Sequence, residues 1–504
     1  MAATKIKASH DTAVPGKSFA EVVEEIKSIY LADKRPWVVG FSGGKDSTAI
    51  LQLTYAALLQ LKPEERHKPV FVVSSDTLVE TPLVVDLFVG VLNRVEQAAR
   101  RHKLPLSTAR VHPEYNETFW VNLLGKGYPA PTRQFRWCTA RMKINPISKF
   151  IEEKVNKFGE VVIVLGARSE ESATRAQVIK KHKIQGQRLS RHTTLPNAYV
   201  YTPIDDWSTK EVWWYLMGEE VPWGGDHQKL FDLYKGSNAG ECPLVVDTNT
   251  PSCGNSRFGC WVCTVVSEDR SLKGMIESGE KWLTPLHKFR NFLAETSKPE
   301  NKNTYRNYKR RTGKVTLARD GSGSSHVPGP YFLKYRKAWL EELLLLQQQF
   351  QAEGREIVLI TEPELQAIRK EWIHDPNEPD WEDALPRIYR DIFNKDLEWI
   401  ESDAGAFTKH DADLLQELGK EHGVPAELVM KLLELELSMD GLSKRAGIYN
   451  QMDQLLSRDW GSLSDVMKKH LAVEQQMNDY DEKEALLLKI AEDLRNDNQV
   501  AKIG

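Results

Sequence analysis

Cysteine is scarce in this chain, whose 504 residues contain only five, an odd number. A framework of disulfide bonds, which small secreted proteins use, is therefore excluded. In a long chain without such a framework, we expect cysteines to bind a metal or to serve as reactive thiols in a reducing compartment.

Long apolar runs are also missing. No stretch approaches the roughly 18 uninterrupted apolar residues that identify a membrane-spanning helix. Residues 1–10 lack the apolar core of a secretory signal. These two absences predict a soluble protein of the cytoplasm.

Neither sign of charge dominates, because 68 lysines and arginines stand against 71 aspartates and glutamates. Binding to nucleic acid would therefore depend on local basic patches. Two runs contain basic but no acidic residues, at 175–192 and 302–319, and the second includes Tyr305 and Tyr308. Each run is either a solvated face or a track for a phosphate backbone, where the tyrosines can stack on bases.

The chain does contain enough apolar sequence, 41%, to bury at least one full core. Its length predicts two to three domains. These are an α/β domain over 1–235, a cysteine-rich and basic segment over 236–320, and a helical accessory domain over 331–504. Residues 320–330, rich in Gly, Ser and Pro, predict a loop or linker. Apolar stripes at 339–346 and 428–435 predict buried helix faces.

The α/β prediction depends on alternating patterns in the first 235 residues. Ser18 and Glu21 have the spacing of a capping box at the start of a helix. Short apolar runs predict strands, and longer periodic runs predict helices. The strands are at 37–41, 70–73 and 161–165, and the helices include 46–59 and 82–102. Strands that alternate with helices predict a parallel sheet covered on both faces.

A glycine-rich loop at residues 41–48 (Phe-Ser-Gly-Gly-Lys-Asp-Ser-Thr) lies between a predicted strand and a predicted helix. Gly43 and Gly44 let the backbone approach an oxyanion closely, and the free N–H groups at a helix start favour negative charge. The loop also supplies one lysine and three hydroxyl groups: Lys45, Ser42, Ser47 and Thr48. Because Asp46 follows the lysine, this is not a Walker A loop.

The loop resembles the S-G-G-x-D-S signature of the PP-loop family. That resemblance implies that ATP is split between its α and β phosphates, that the loop holds the pyrophosphate, and that AMP passes to the substrate. Lys45 and Asp46 are then catalytic. Asp76 and Thr77 follow the second predicted strand, so they belong at the same edge of the sheet, where ligands bind.

A later segment resembles the G-x-R-x-x-E-S-x-x-R element of the PAPS reductase branch of this family, through Gly166, Arg168, Glu171 and Arg175. The two arginines are candidates to clamp phosphates. Glu171 is a candidate to orient them or to help hold Mg²⁺. The alternative is a solvated charged loop. A further segment that resembles this branch contains Trp207, and there Ser208 and Glu211 predict a capped helix.

Four of the five cysteines lie close together, at Cys242, Cys253, Cys260 and Cys263. Four thiolates fit a structural zinc ion or a [4Fe–4S] cluster, and no metal at all is the third possibility. The cluster is favoured because it suits sulfur chemistry.

The segment around Cys138 resembles the R-x-x-C-C-x-x-R/K-x-x-P element of cluster-bearing adenylylsulfate reductases, although Trp137 replaces the first cysteine of the pair. This resemblance implies a cluster held by Cys138, Cys253, Cys260 and Cys263, with Cys242 as a catalytic persulfide carrier. The simpler assignment exchanges Cys138 and Cys242.

Taken together, these motifs resemble the DndC family, the PP-loop sulfurtransferases of DNA phosphorothioation (Dnd) systems. The most specific part is the S-C-G-N-S-R-F-G-C-W-V-C block at 252–263. The resemblance implies ATP, Mg²⁺ and a [4Fe–4S] cluster as cofactors. It implies DNA, a cysteine desulfurase as sulfur donor, and the DndD and DndE proteins as partners.

Three other functions stay open: a PAPS or adenylylsulfate reductase, a tRNA thiolase, and a nucleotide-sensing subunit without chemistry. Such reductases generally place a catalytic cysteine near the C-terminus, whereas no cysteine follows Cys263 here. A thiolase would need an RNA-binding module, and none is identifiable in the sequence. The intact loop and the spare cysteine argue against a sensing role.

Overall fold

A computed structural model describes residues 18–171, 188–237, 259–318, 325–400, 409–438 and 447–500. The chain divides into two compact units. The first consists of Met1–Leu123, Ala130–Lys298 and Glu342–Ile368, and the second of Leu124–Pro129, Pro299–Glu341 and Arg369–Gly504. The domain boundaries expected from the sequence stay a prediction.

A six-stranded sheet organises the first unit. Its strands are β1 (Trp37–Gly40), β2 (Val70–Ser75), β3 (Leu106–Val111), β4 (Val161–Val164), β5 (Ser190–Arg191) and β6 (Ala198–Tyr201). They lie in the order β3-β2-β1-β4-β6-β5. Every neighbouring pair is parallel except β5 and β6. The predicted α/β fold with a parallel sheet is confirmed, and the three predicted strands form its centre.

Helices cover this sheet, as its apolar composition requires. Those of the first unit are α1 (Phe19–Leu31), α2 (Lys45–Gln60), α3 (Pro82–Arg101), α4 (Asn145–Phe158), α5 (Thr209–Gly218), α6 (Gln228–Ser237), α7 (Arg270–Glu277) and α8 (Thr284–Thr296). All of β1 and β4 is buried. Strands buried in this way are near-continuous apolar runs, as the sequence shows. One core cluster joins Val38, Val73 and Ile163 of the sheet to Ile147 and Ile151 of α4.

Both predicted capping boxes are present. The Ser18 hydroxyl accepts the Glu21 N–H, and the Glu21 carboxylate accepts the Ser18 N–H at 2.6 Å. Ser208 and Glu211 make the same pair of bonds at the start of α5. These local bonds satisfy amides at the helix start that have no partner within the helix.

The second unit is helical in its described part. Its chain contributes α9 (Lys302–Tyr305), α12 (Ala384–Phe393), α13 (Lys409–His422), α14 (Ala426–Ser438), α15 (Ile448–Leu456) and α16 (Leu463–Val500), while α10 (Leu333–Ala352) and α11 (Glu362–Ile373) are divided between the units. The first predicted stripe is buried at Trp339, Leu340, Leu343 and Leu344. The second predicted stripe is partly exposed to solvent, because Leu433 is 37% exposed.

Two further expectations from the sequence concern membrane-spanning helices and the loop at 320–330. Among the described helices, none is both long and apolar enough to cross a membrane. The predicted loop at 320–330 lies partly outside the described residues. Its remainder contains an isolated antiparallel bridge between Leu317 and His326.

A buried lysine secures the amino-terminal edge of the sheet. Lys68 is 1% exposed, and its ammonium group lies 2.8 Å from the Asp33 carboxylate. It also lies 4.8 Å above the ring of Tyr30 and 5.3 Å from that of Trp37. Burial lowers the pKa of Lys68, while the bond to Asp33 opposes that effect. Asp33 also pairs with Arg35, so the cost of removing Lys68 comes mainly from the space that its buried side chain would leave.

We therefore expect Lys68→Ala to lower the free energy of unfolding of this unit by about 2–4 kcal/mol. Urea titration followed by tryptophan fluorescence measures the change. Lys149→Ala is the matched control, because its ion pair with Glu114 is exposed on both sides and exposed pairs contribute little. Equal midpoints for the two variants would contradict the structural role of Lys68.

Candidate nucleotide site

The glycine-rich loop joins β1 to α2 at the carboxyl edge of the sheet. Gly43 has a backbone φ of +76°, which residues with a side chain rarely adopt. A Cβ at this position would lie 3.0 Å from the Cβ of Phe88. Gly44 is the N-cap of α2 and has an extended backbone without a side-chain cap. The first amides of α2 therefore face the loop, which is the arrangement that binds anions at helix starts.

The hydroxyl groups of the loop hold its shape. The Ser47 hydroxyl accepts the Ser42 N–H at 3.2 Å and donates to the Gly44 carbonyl at 2.9 Å. The Thr48 hydroxyl donates to the same carbonyl at 2.8 Å. The hydroxyls of Ser42 and Ser47 lie 3.1 Å apart. The hydroxyl groups of Ser42, Ser47 and Thr48 thus take part in hydrogen bonds within the loop itself.

Three charged side chains are buried together at the start of α2. Asp46 accepts a bond from the Lys45 ammonium group at 3.1 Å and from Arg168 Nε at 2.5 Å. All three residues are less than 5% exposed. A carboxylate between two cations is the arrangement that buried charges need, because each charge then has a partner.

Arg168 makes its remaining bonds to the protein. Its Nη1 donates to the Glu170 carboxylate at 3.0 Å and to the Trp207 carbonyl at 3.2 Å, and its Nη2 donates to the Thr209 hydroxyl at 3.1 Å. Arg168 therefore positions Asp46 and joins it to the start of α5. Its predicted role as a phosphate clamp stays a prediction.

The charge of Lys45 is sensitive to pH. Burial lowers the pKa of Lys45 to about 8, Asp46 opposes this effect, and the neighbouring Arg168 adds to it. Near neutral pH the side chain is still mostly protonated, which is the form that can bind a phosphate.

Gly166, just after β4, allows α2 to approach the sheet closely. A Cβ at this position would lie 2.7 Å from both the carbonyl carbon and the carbonyl oxygen of Asp46. No side chain fits there unless the first turn of α2 moves. The glycine of the G-x-R element therefore has a steric role that complements that of Arg168.

Asp76 and Thr77 stabilise the turn after β2. Asp76 accepts the N–H of Leu78, a residue with a φ of +62°, and lies 3.7 Å from Arg110. The Thr77 hydroxyl donates to Glu80 at 2.9 Å. Asp76 and Thr77 are buried, and their predicted contact with a nucleotide stays untested.

A cavity of about 60 Å³ opens in front of the loop. Its lining comes from the loop, from the turn after β2, and from α3 and α6. The residues are Ser42, Gly43, Gly44, Ser75, Glu80, Val84, Leu87, Phe88, Lys143, Leu230, Leu233, Tyr234 and Gly259.

Sequence reasoning missed three polar residues of this cavity. Glu80 and Lys143 face each other across 3.9 Å, and Tyr234 reaches the loop from α6. Lys143 ends the segment around Cys138, so the signal for it was present. Nothing in the sequence singled out Tyr234.

Cys260 lies against the turn after β2, beside the cavity. It forms an antiparallel bridge with Glu80, and its Sγ lies 3.4 Å from the Thr77 hydroxyl and 3.7 Å from the Glu80 carboxylate. The neighbouring Trp261 N–H donates to the Val79 carbonyl at 3.0 Å. The C-x-x-C motif is thereby brought next to the loop, although it is more than 200 residues away in sequence.

The turn that carries Cys263 is fixed by a buried arginine. Arg290 donates to the Cys263 carbonyl at 2.8 Å and also to the carbonyls of Val266 and Ser267. The next residue, Thr264, donates to the Pro131 carbonyl at 2.7 Å. Pro131 begins the segment that leads to Cys138, so this bond connects the two cysteine-bearing parts of the chain.

The described residues fit a thiolate-ligated cluster in part. The Cys263 N–H donates to the Cys260 carbonyl at 3.2 Å, so the two cysteines share one turn, which Arg290 fixes through its backbone carbonyls. Among the described residues, no three side chains form a complete metal site. Cys242, Cys253, Arg175 and the side chain of Glu171 lie outside what the structure describes, so their assigned roles stay predictions.

The basic run at 302–319 is only partly available to a ligand. Arg306 donates to the Pro328 and Gly329 carbonyls, and Arg311 donates to the Lys126 carbonyl at 2.6 Å. Lys309 lies over the ring of Trp460 at 5.5 Å. Arg310 and Lys314 are exposed. Most of the basic run at 175–192 lies outside the described residues.

The sequence of this region matches a known family. Residues 36–266 fit the model of the phosphoadenosine phosphosulfate (PAPS) reductase domain. The match spans less than half of the chain and shows that this segment is similar to PAPS reductase domains. The segment contains the glycine-rich loop, the Arg168 element and the C-x-x-C motif. The resemblance to the PAPS reductase branch is thereby confirmed.

This chain is also similar to a protein of another organism over part of its length. An uncharacterized protein of Methanocaldococcus jannaschii is 31% identical over 276 residues, which cover 55% of this chain and 45% of that protein. The match thus spans less than half of this relative.

Two solved structures match parts of this chain at low similarity. The FMN adenylyltransferase of Candida glabrata, in complex with FAD and inorganic pyrophosphate, is 15% identical, with a TM-score of 0.25 and coverage of 43% of this chain and 63% of that one. The U34-tRNA thiolase NcsA of Methanococcus maripaludis, with its [4Fe-4S] cluster, is 12% identical, with a TM-score of 0.26 and coverage of 56% and 80%. At TM-scores this low, neither likeness bears on what this chain binds.

The close approach at Gly166 leads to a first prediction for the site. Gly166→Ala should displace the first turn of α2 and weaken ATP binding by about 10-fold or more, since small misplacements at such sites are costly. Calorimetric titration with Mg·ATP measures the affinity. Gly218→Ala is the control, because a Cβ there meets nothing within 4 Å. Unchanged affinity in Gly166→Ala would show that the contact does not shape the site.

The pKa of Lys45 leads to a second prediction. The protonated form decreases as the pH rises through about 8, so the affinity for pyrophosphate should fall by roughly 10-fold between pH 7 and pH 9. The dissociation constant is measured by calorimetry across this range. In Lys45→Arg, whose guanidinium stays charged, the profile should be flat. A flat profile in the wild-type protein would contradict a role for the Lys45 charge.

Proposed function

We infer that this chain is an ATP-dependent sulfurtransferase that adenylates a phosphate of the DNA backbone and then replaces one of its oxygens with sulfur. The observation that carries the first half is the buried group formed by Lys45, Asp46 and Arg168 at the start of α2. This group lies directly behind a glycine-rich loop, within the segment that is similar to PAPS reductase domains.

The proposed adenylation step uses this arrangement. A non-bridging oxygen of the DNA phosphate attacks the α phosphorus of ATP, the bond to the β phosphate breaks, and pyrophosphate leaves. The loop amides and the Lys45 ammonium group stabilise the charge that collects on pyrophosphate. Mg²⁺ would neutralise the remaining phosphate charge.

The sulfur step depends on the cysteines. The outer sulfur of a persulfide, proposed for Cys242, attacks the activated DNA phosphorus, and AMP leaves with the former oxygen. A thiol then attacks the sulfur–sulfur bond, which leaves sulfur on phosphorus and forms a disulfide. An external thiol reductant reopens that disulfide. A cysteine desulfurase would recharge the persulfide.

The proposed cluster would be held by Cys138, Cys253, Cys260 and Cys263. In the alternative assignment, Cys242 takes the place of Cys138. When bound, it supplies iron and sulfide close to the reacting phosphate. Two observations support it: Cys260 lies beside the wall of the cavity, and the Thr264 bond to Pro131 connects the C-x-x-C turn to the Cys138 segment.

DNA as acceptor is supported by the cysteine block at 252–263 and by the exposed cations Arg310 and Lys314. Both are properties of this chain alone, so the identity of the partner is part of the proposal. DndD and DndE are proposed as companions on the same resemblance.

The decisive experiment is mass spectrometry of nuclease-digested DNA from cells that carry this protein with its neighbouring genes. We expect phosphorothioate-linked dinucleotides with the wild-type chain and none with Lys45→Ala. Lys62→Ala is the matched control, because its side chain is exposed beyond the other end of α2. Equal protein levels and circular dichroism spectra establish that the variants fold.

Other results would separate the alternatives. Pyrophosphate release without sulfur in DNA would contradict the acceptor, and sulfonucleotides and tRNA would be tested next. ATP binding without pyrophosphate release for any acceptor would contradict the enzyme and favour a nucleotide-sensing subunit.

A further inference from the structure

Tyr234 makes an unexpected contact with the glycine-rich loop. Its hydroxyl oxygen accepts the backbone N–H of Lys45, the first amide of α2, at 3.2 Å. The same oxygen lies 3.2 Å from the point where a Cβ of Gly44 would be. The hydroxyl thus sits directly in front of the helix start, at the position where a bound phosphate oxygen is expected.

A tyrosine hydroxyl and a phosphate oxygen cannot share this position. Both would accept the same N–H, and two oxygens so placed would be closer than their van der Waals contact permits. Like a phosphate oxygen, the hydroxyl oxygen uses a lone pair to accept a hydrogen bond from this backbone amide. The hydroxyl therefore satisfies the amide while excluding the anion.

The size of the cavity is an independent observation. Its volume of about 60 Å³ accommodates a few water molecules, whereas pockets for nucleotide-sized ligands measure roughly 300–1,000 Å³. Three of its lining residues, Leu230, Leu233 and Tyr234, come from α6. Side chains of α6 therefore form part of the wall that narrows the space in front of the loop.

The Tyr234 ring contacts a neighbouring helix and the start of α2. It packs edge-on against Trp213 of α5 at 5.1 Å, and the Lys45 ammonium group lies 5.7 Å from its centroid. The contact with the loop is thus built by two helices.

We propose that the Tyr234 hydroxyl occupies the phosphate position of the glycine-rich loop, so that ATP binds only by displacing it. Tyr234 is then a positioning residue that sets nucleotide affinity. The inference deepens the proposed function and rests on the ATP site assigned there.

The test compares the full-length wild-type chain with Tyr234→Phe, using inorganic pyrophosphate and then Mg·ATP as titrants in calorimetry. Phenylalanine retains the ring and its packing but cannot accept the Lys45 N–H. We expect the variant to bind pyrophosphate roughly 2- to 10-fold more tightly, since one hydrogen bond no longer competes. Tyr199→Phe is the control and should match the wild type, because the Tyr199 hydroxyl bonds to Glu160 instead.

Each other outcome overturns the inference in a distinct way. Weaker binding by Tyr234→Phe would show that the hydroxyl donates to the ligand, and equal binding would show that it does not compete. Both results would leave the ATP site intact. If none of the three proteins bound pyrophosphate or ATP, the proposed function itself would fail.

A second measurement uses the contact with Trp213. Displacement of the Tyr234 ring should change the emission of Trp213 when Mg·ATP is added. The difference between the wild type and Trp213→Phe isolates this contribution. An emission change that is identical in the two proteins would contradict movement of the ring.

Discussion

The buried carboxylate of Asp46 is the interaction on which the site depends. It lies between Lys45 and Arg168 at the start of α2. Without it, two cations would be buried side by side and would repel each other. With it, Lys45 keeps its charge near neutral pH, and Arg168 joins the start of α2 to the start of α5. One acidic side chain thus couples the charge of the loop to the packing of the surrounding helices.

The position of this group follows from the sheet. Parallel strands bring their carboxyl ends to one edge, and the loop after β1, the turn after β2 and Gly166 after β4 all lie there. The amino-terminal edge is secured separately, by Lys68 and Asp33. The buried Lys68–Asp33 pair and the candidate site therefore lie at opposite edges of the same sheet, and ligands of α/β folds bind at the carboxyl edge.

Much of this arrangement could be predicted from the sequence. The central strands are continuous apolar runs, and the two capping boxes and the loop have strict local spacing. β3 was missed because Leu106–Val111 alternates polar and apolar residues at an edge, and β5 is only two residues long.

The predictions for the site were weaker where they depended on contacts distant in sequence. Arg168 was expected to face phosphate, yet it donates hydrogen bonds to Asp46, Glu170, Trp207 and Thr209, contacts that no local pattern reveals. Tyr234 reaches the cavity from α6 and Glu80 from the turn after β2, and the tertiary fold brings these elements together.

The contact between Cys260 and Glu80 has a broader consequence. The two residues are paired through the backbone, and the adjacent bonds, Trp261 to Val79 and Thr81 to Gly259, also use main-chain atoms. The position of the thiol turn relative to the turn after β2 is therefore fixed by the main chain. Side chains in these two turns can then be exchanged without moving the backbone that carries Cys260.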